Sequence, residues 1–449
     1  MMPMLSEIFK AYDVRGIYAK TLSEDVAFQI GKAFVTFLKA KQVIVGRDMR
    51  LSSPALSKAF MRGVIESGAD TIDIGEVSTD ALYFASGFLK TAAVMFTASH
   101  NPREYNGIKF CKKGALPINY DNGLRTIKKI IEKNQYKKIA LKKGKIIEKN
   151  IDKEYRNHVQ RFLKGTSLNK LKIAVDAGNG MAGKMIPLVY NSLDVDIVPL
   201  YFTLDGSFPN HPADPSKYEN LVALQKTVIA KKCGFGMAFD GDADRVFFVD
   251  EKGKVCNSSL IASLIIKKLL SEKKGPVIHN VVCSKIVPET ISKFGGTIIK
   301  ERVGHSFIKE TMRKNKALFG CEHSAHYYFK DNFNADSGII ASIIVASLVS
   351  ESGKKLSELL DEFRKYHTIE ETNSPVDDKE AKMQEIKNYY KKFNPKKIEE
   401  LDGITIEFKD WWFNVRPSNT EPLLRLNLEA ISETLMLKKK EEVLKLINA

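Results

Sequence analysis

The chain has 449 residues, is 44% hydrophobic and 28% charged, and carries a net charge of +16. That length exceeds one ordinary core, so roughly two to four domains are expected, and the composition excludes a disordered or fibrous chain. Five scattered cysteines with no C-x-x-C pair exclude a disulfide framework and a thiolate zinc site, and a reducing cytoplasm is expected.

The N-terminal stretch 1–16 lacks the apolar core of a signal peptide. Strand 43–45 leads through G-R-D-M-R to a helix from about Ser53, and strand 71–74 follows. Strand 92–96 feeds directly into Thr97-Ala98-Ser99-His100-Asn101-Pro102. Pro102 fixes its own φ and biases Asn101 away from helix, while Asn106-Gly107 predicts a second tight turn. Ser99 is thus expected on a stiff loop at a strand end, where α/β proteins place reactive groups, with Lys109 downstream. A plain surface turn is the competing reading. The basic run 128–149 has almost no aromatic residues, so it reads as a solvated, phosphate-attracting face rather than a nucleic-acid surface.

The pattern of the first segment recurs twice. Strand 172–175, D-A-G-N-G, a helix from about 183 and strand 195–200 form one copy. Strand 277–281, C-S-K, a helix from about 287 and strand 297–300 form the other. Three related α/β domains are expected. The apolar run 339–349 is too short to span a bilayer and reads as a core helix. After a polar stretch at 372–375, helix 381–392, strands 404–408, 412–415 and 423–429, and helix 432–446 predict a smaller α+β domain. The expected domains are 1–150, 151–255, 256–370 and 371–449.

Three further segments carry chemistry. Asp240, Asp242 and Asp244, in D-G-D-A-D-R before Arg245, would repel along one strand face but can converge in a turn on one hard cation. An EF-hand fails because its sixth position holds Arg245 and a strand follows. Glu322 and Ser324, in C-E-H-S-A-H, point the same way if extended and suit vicinal sugar hydroxyls. His323 and His326 hint at a metal, but no cysteine or helical spacing supports zinc. Arg416-Pro417-Ser418-Asn419-Thr420-Glu421-Pro422 gathers a guanidinium, hydroxyls and an amide on a proline-bracketed loop, the parts of a phosphate site.

Each predicted domain thus contributes one unusual loop. Together these loops resemble the α-D-phosphohexomutase superfamily, over essentially the whole chain and in order, and within it the phosphomannomutase/phosphoglucomutase group. The motifs are T-A-S-H-N-P with N-G-x-K, D-G-D-A-D-R, E-x-S-x-H and R-P-S-N-T-E-P, with A-Y-D-V-R-G similar to the family's N-terminal Y-D-x-R-G. The resemblance implies three related α/β domains and a smaller fourth around a central cleft. It implies that Ser99 carries a phosphoryl group and, with Asp240, Asp242 and Asp244, holds Mg²⁺. Arg245, Arg15 and His100 would stand near that group, and Lys109 would give acid–base or electrostatic help. Glu322, Ser324 and His326 would contact the sugar. Arg416, Ser418, Asn419 and Thr420, with His305 of V-G-H-S, would hold the phosphate that is not reacting.

The implied reaction interconverts hexose 6-phosphate and hexose 1-phosphate through a hexose 1,6-bisphosphate, which also serves as activator. Cys321 and Ala325 stand where many relatives have glycine. A family lysine near 280–283 is replaced by N-V-V-C, with Lys285 just after it. The forms E-H-S-x-H-Y-Y-F and R-P-S-N-T-E-P-L-L-R favour mannose phosphates, with glucose phosphates also accepted. A phosphoglucosamine mutase is the alternative, and a metal-dependent phosphomonoesterase a more distant one. The expected partners are small sugar phosphates, with no nucleic acid and no membrane, and the chain is expected to be a monomer or homodimer.

Overall fold

The computed structural model describes residues 5–136, 142–418 and 423–448. Its first three sheets are built to one plan. In the first, Gln42–Arg47 runs parallel to Asp70–Glu76 on one side and Ala92–Phe96 on the other, and Tyr105–Lys112 returns antiparallel to Ala92–Phe96. The second sheet sets Leu171–Asp176 between Val195–Leu200 and Phe235–Phe239, with Val246–Asp250 returning. The third sets Pro276–Asn280 between Thr297–Glu301 and Phe319–Cys321, with Tyr327–Phe329 returning. A further antiparallel strand borders each returning strand: Val14–Ile17, Val255–Cys256 and Ala335–Asp336.

The helices Ser53–Glu66, Ala182–Tyr190 and Ile286–Lys293 make the equivalent crossovers. Parallel strands covered on both faces become continuous apolar runs, and Ala92–Phe96 and Phe235–Phe239 are buried at every position. One buried apolar cluster runs from Ile44 and Met95 through Ile173 and Phe239 to Val277 and Phe319, so all three sheets share packing. The helix Gly338–Ser352 lies within it, buried along most of its length as its apolar run predicts. Among the described residues, no helix is long and apolar enough to cross a membrane.

The fourth sheet is antiparallel around Ile404–Glu407, Trp411–Pro417 and Leu423–Ala430. The helices Lys379–Lys391 and Glu433–Asn448 contribute Ile386, Tyr390 and Val443 to its core, against Trp411 and Phe413.

One local expectation is corrected. Asn106-Gly107 is not a turn but lies inside the strand Tyr105–Lys112, where Asn106 pairs with Gly16 and Gly107 with Arg15. Gly107 is needed for close backbone approach: a Cβ there would lie 2.5 Å from the Val14 carbonyl and 2.8 Å from that of Thr97. Turn propensity gives way to sheet pairing at this position.

Candidate active site

The loop after Ala92–Phe96 carries Ser99 in the left-handed region, at φ +51, with its N–H donating to Thr97 Oγ1 at 2.9 Å. A non-glycine residue held there stores backbone strain, on the order of 1 kcal/mol or more, that the surroundings must impose. Much of that constraint comes from Arg50, 1% exposed, whose guanidinium donates to the carbonyls of Ser99, Asn101, Pro102 and Tyr105 at 2.6–2.9 Å. Arg15 reaches the same loop from the strand Val14–Ile17 and donates to the Ala98 carbonyl at 2.9 Å and to Asn101.

The matching loop of the second sheet faces Ser99. Ser99 Oγ donates to Asp240 Oδ2 at 2.6 Å, lies 3.1 Å from His100 Nδ1 and accepts from Arg245 at 3.4 Å. Gly241 makes this approach possible, since a Cβ there would lie 2.5 Å from the Ser99 carbonyl. Asp240, Asp242 and Asp244 each offer a carboxylate oxygen within 4.8 Å of the others. All are buried, and Asp242 Oδ1 and Asp244 Oδ1 find no protein hydrogen-bond partner. An all-oxygen, triply acidic donor set of this kind fits a hard divalent cation.

Lys109, on the returning strand, donates to Asp242 at 2.7 Å and Asp244 at 2.5 Å. Burial opposes its charge, but these two carboxylates hold its pKa well above the ordinary lysine value. Asp242 is likewise desolvated yet held below the usual carboxylate range by Lys109. Asp240 moves the other way: burial raises it and outweighs the neighbouring Arg245. Thr79 also donates to Asp242, at 2.5 Å.

The third sheet's loop meets the second. Arg245 and His326 form a β-bridge. His326 Nδ1 lies 2.9 Å from Asp336 and 3.7 Å from Asp244, and Lys309 pairs with Asp336 at 2.7 Å. Burial would lower the His326 pKa, but Asp244 and Asp336 raise it. His305 sits at the start of the helix His305–Asn315, edge-on to Tyr12 with ring centroids 5.1 Å apart.

The segment after Cys321 is a turn rather than the extended stretch expected, because Ala325, at φ +64, donates its N–H to the Glu322 carbonyl at 3.1 Å. Glu322 is consequently turned inward and buried, accepting from Asn280 at 3.2 Å, from the Gly304 N–H at 3.0 Å and from Tyr328, while Ser324 stays half-buried. Glu322 and Ser324 therefore do not share a strand face.

In the fourth domain, Arg416 donates to Glu371 at 2.8 Å, and Glu371 also accepts from Arg425 at 2.9 Å and Asn427 at 3.0 Å. Ser418 follows at the strand end. Asn419 and Thr420 lie outside the described residues. Lys285 begins the helix Ile286–Lys293 and pairs with Glu407 at 3.1 Å, so it ties the third domain to the fourth instead of reaching the acidic loop.

Sequence reasoning missed Arg50, Thr79, Lys309 and Asp336. For Arg50 a signal existed, since G-R-D-M-R places charge directly after a buried strand. Lys309 and Asp336 carry no local signature, because each looks like an ordinary polar residue until the fold buries both to 1% exposure.

Four family models cover most of the chain. The models for phosphoglucomutase/phosphomannomutase α/β/α domains I, II and III match residues 6–138, 153–253 and 257–366, and the C-terminal domain model matches 371–446. A phosphomannomutase of Methanocaldococcus jannaschii is 41% identical over 446 residues, covering 98% of this chain and 97% of its own. A phosphomannomutase of Escherichia coli K12 is 36% identical over 431 residues, 94% of each chain. Among solved structures, a phosphoglucomutase/phosphomannomutase family protein of Burkholderia thailandensis superposes with a TM-score of 0.90 at 29% identity, over 98% of this chain and 97% of that one. With four domain models in sequence and relatives of this identity along nearly its full length, the chain belongs to the phosphoglucomutase/phosphomannomutase family of phosphohexomutase isomerases.

Proposed function

We propose that the chain interconverts hexose 6-phosphate and hexose 1-phosphate through phospho-Ser99 and a hexose 1,6-bisphosphate, with mannose phosphates preferred and glucose phosphates also turned over. The observation that carries this reading is the Ser99 hydroxyl, donated at 2.6 Å to an aspartate of a three-carboxylate cluster on another domain, with Arg245 beside it. Phosphoryl transfer depends chiefly on positioning and on neutralising charge, and this arrangement supplies both.

Asp240, Asp242 and Asp244, with the phosphate on Ser99, would hold Mg²⁺. When bound, that ion neutralises charge on the phosphoryl oxygens. Arg245, Arg15 and His100 line the same loop. Lys109, paired with two of these carboxylates, would give acid–base or electrostatic help beside the phosphoserine. In the first step the sugar hydroxyl attacks phosphorus, the bond from phosphorus to Ser99 Oγ breaks, the hydroxyl proton ends on the departing serine oxygen, and the bisphosphate forms. It turns over in the cleft, and its other phosphate returns to Ser99. Ser324 and His326 face the hydroxyls, and Glu322 orders that turn. Arg416, Ser418, Asn419 and Thr420 hold the phosphate that is not reacting, with His305 nearby. The buried free thiols fit a reducing cytoplasm.

Ser99→Ala is expected to abolish most turnover while mannose 1-phosphate still binds by calorimetry; wild-type rates in that variant would rule out the phosphoserine. Mannose, glucose and glucosamine 1-phosphates assayed in parallel separate this reading from a phosphoglucosamine mutase. Activation by a hexose 1,6-bisphosphate with little release of inorganic phosphate separates it from a phosphomonoesterase.

A further inference from the structure

The D-A-G-N-G turn that follows Leu171–Asp176 holds a loop, 201–214, which crosses from the second domain to the first. Asn179, at φ +57, organises that loop. Its N–H donates to the Tyr201 carbonyl at 2.9 Å and its carbonyl accepts from the Asp205 N–H at 3.0 Å. Its side-chain amide donates to the Thr203 carbonyl at 2.9 Å and accepts from Asn210 at 2.8 Å. Gly206 sets the loop hard against the first domain, since a Cβ there would lie 2.7 Å from Arg50 Cα and 2.8 Å from the Leu51 nitrogen. Phe208 follows, held in the left-handed region at φ +51, with the Arg50 guanidinium carbon over its ring at 5.1 Å from the centroid.

We propose that Phe208 is a positioning residue for Ser99: acting through Arg50, this second-domain loop fixes the serine loop in its strained conformation. A guanidinium carries five N–H groups. In Arg50, four donate to the carbonyls of Ser99, Asn101, Pro102 and Tyr105, and Nε lies 3.4 Å from Asp48. With its N–H groups committed to the loop, Arg50 still has charge to balance and surface to cover. The Phe208 ring does both, because a cation over an aromatic face within about 6 Å is attracted by the ring quadrupole, and more strongly where water is excluded. Arg50 is buried, so water is excluded here. Ser99 and Phe208 share the same left-handed φ, a state that a non-glycine residue keeps only where its surroundings over-determine it.

Removing the ring opens the guanidinium to water, which competes for the N–H groups that hold the serine loop. The Ser99 hydroxyl then loses its fixed placement against Asp240, and phosphoryl transfer depends on placement. Under the proposed mechanism the sugar and its other phosphate are held by the third and fourth domains, so the loss falls on kcat and not on KM. That kinetic consequence rests on the phosphoserine reading, whereas the ordering of the loop does not.

The test measures amide hydrogen exchange by mass on the substrate-free enzyme, with steady-state kinetics on the same samples. In Phe208→Ala the peptide spanning 97–105 should exchange about 10-fold faster than in wild type. The kcat should fall roughly 10-fold, with KM for mannose 1-phosphate within about twofold. Phe208→Leu keeps apolar bulk without the ring and should behave as Phe208→Ala does, while Phe208→Tyr should restore both readouts. Asn179→Gly keeps the left-handed backbone but removes the side-chain bonds to Thr203 and Asn210, and it should also speed exchange at 97–105. Unchanged exchange at 97–105 in Phe208→Ala, a Phe208→Leu enzyme indistinguishable from wild type, or a defect confined to KM would each overturn the proposal. Exchange is read without sugar or metal. Faster exchange in Phe208→Ala beside a wild type that lacks mutase activity would therefore sink the phosphoserine reading and leave the loop's positioning role standing.

Discussion

Lys109 stands between Asp242 and Asp244, residues more than a hundred positions away in the chain; the two carboxylates hold Lys109 above its ordinary value against burial, and Lys109 holds Asp242 below the usual carboxylate range. Removing one member of such a buried cluster leaves uncompensated charge, which is costlier than the loss of the pair itself. Lys109→Met is therefore expected to lower kcat by about 10²-fold or more. It should also tighten divalent-cation binding, because the carboxylates lose their internal counter-ion. Steady-state kinetics and isothermal titration with Mg²⁺ check both, and an unchanged kcat would remove Lys109 from the catalytic set. The residue type was legible in the sequence, since N-G-I-K follows the serine loop. Its partners were not, because no spacing rule connects one strand to a turn in another domain. Glu322 makes the same point: its carboxylate was expected beside Ser324, but the local turn at Ala325 sends it into the protein.

The site is built from one element used three times. The loops holding Ser99, Asp240 and Glu322 all join the third parallel strand of a sheet to the antiparallel strand that returns. The βαβ repeats were readable from the alternation of β-branched runs with helical segments, but the equivalence of these loops was not, because it depends on strand order within each sheet. The fourth domain is organised differently, around paired positions of adjacent strands. Arg416 lies opposite Arg425 in register, and both guanidiniums converge on Glu371 at the domain's entry. Burial raises the Glu371 carboxyl, yet Arg416, Asn427 and Arg425 bring it down from 4.5 to about 2. A depressed carboxylate stabilises the fold fully above its unfolded value and loses that contribution as pH falls toward the folded value. The shift corresponds to roughly 3 kcal/mol, at about 1.4 kcal/mol per unit. Glu371→Gln should therefore be less stable than wild type in urea at neutral pH, and the gap should narrow below about pH 4.5. A gap that stays constant or widens on acidification would contradict this assignment.

Across the whole molecule, Asp80 fastens the domains together. Its carboxylate accepts from Ser78 of its own domain, from Tyr155 at 2.7 Å at the start of the second, and from Ser337 of the third. Burial raises its pKa to about 6 even against these donors. Asp80→Ala would strand three buried hydroxyls where three sheets meet, and a loss of at least about 3 kcal/mol is expected in chemical denaturation. A melting temperature unchanged from wild type would show that the apolar cluster alone holds the domains. The sequence by itself determined the repeat and the family of reaction, because strands, turns and motif residues are written in short-range pattern. Only the tertiary structure decided which groups pair: Lys109 with the aspartates, and Arg50 with the serine loop. Those contacts depend on how separate sheets pack, and packing between distant segments leaves no period in the chain.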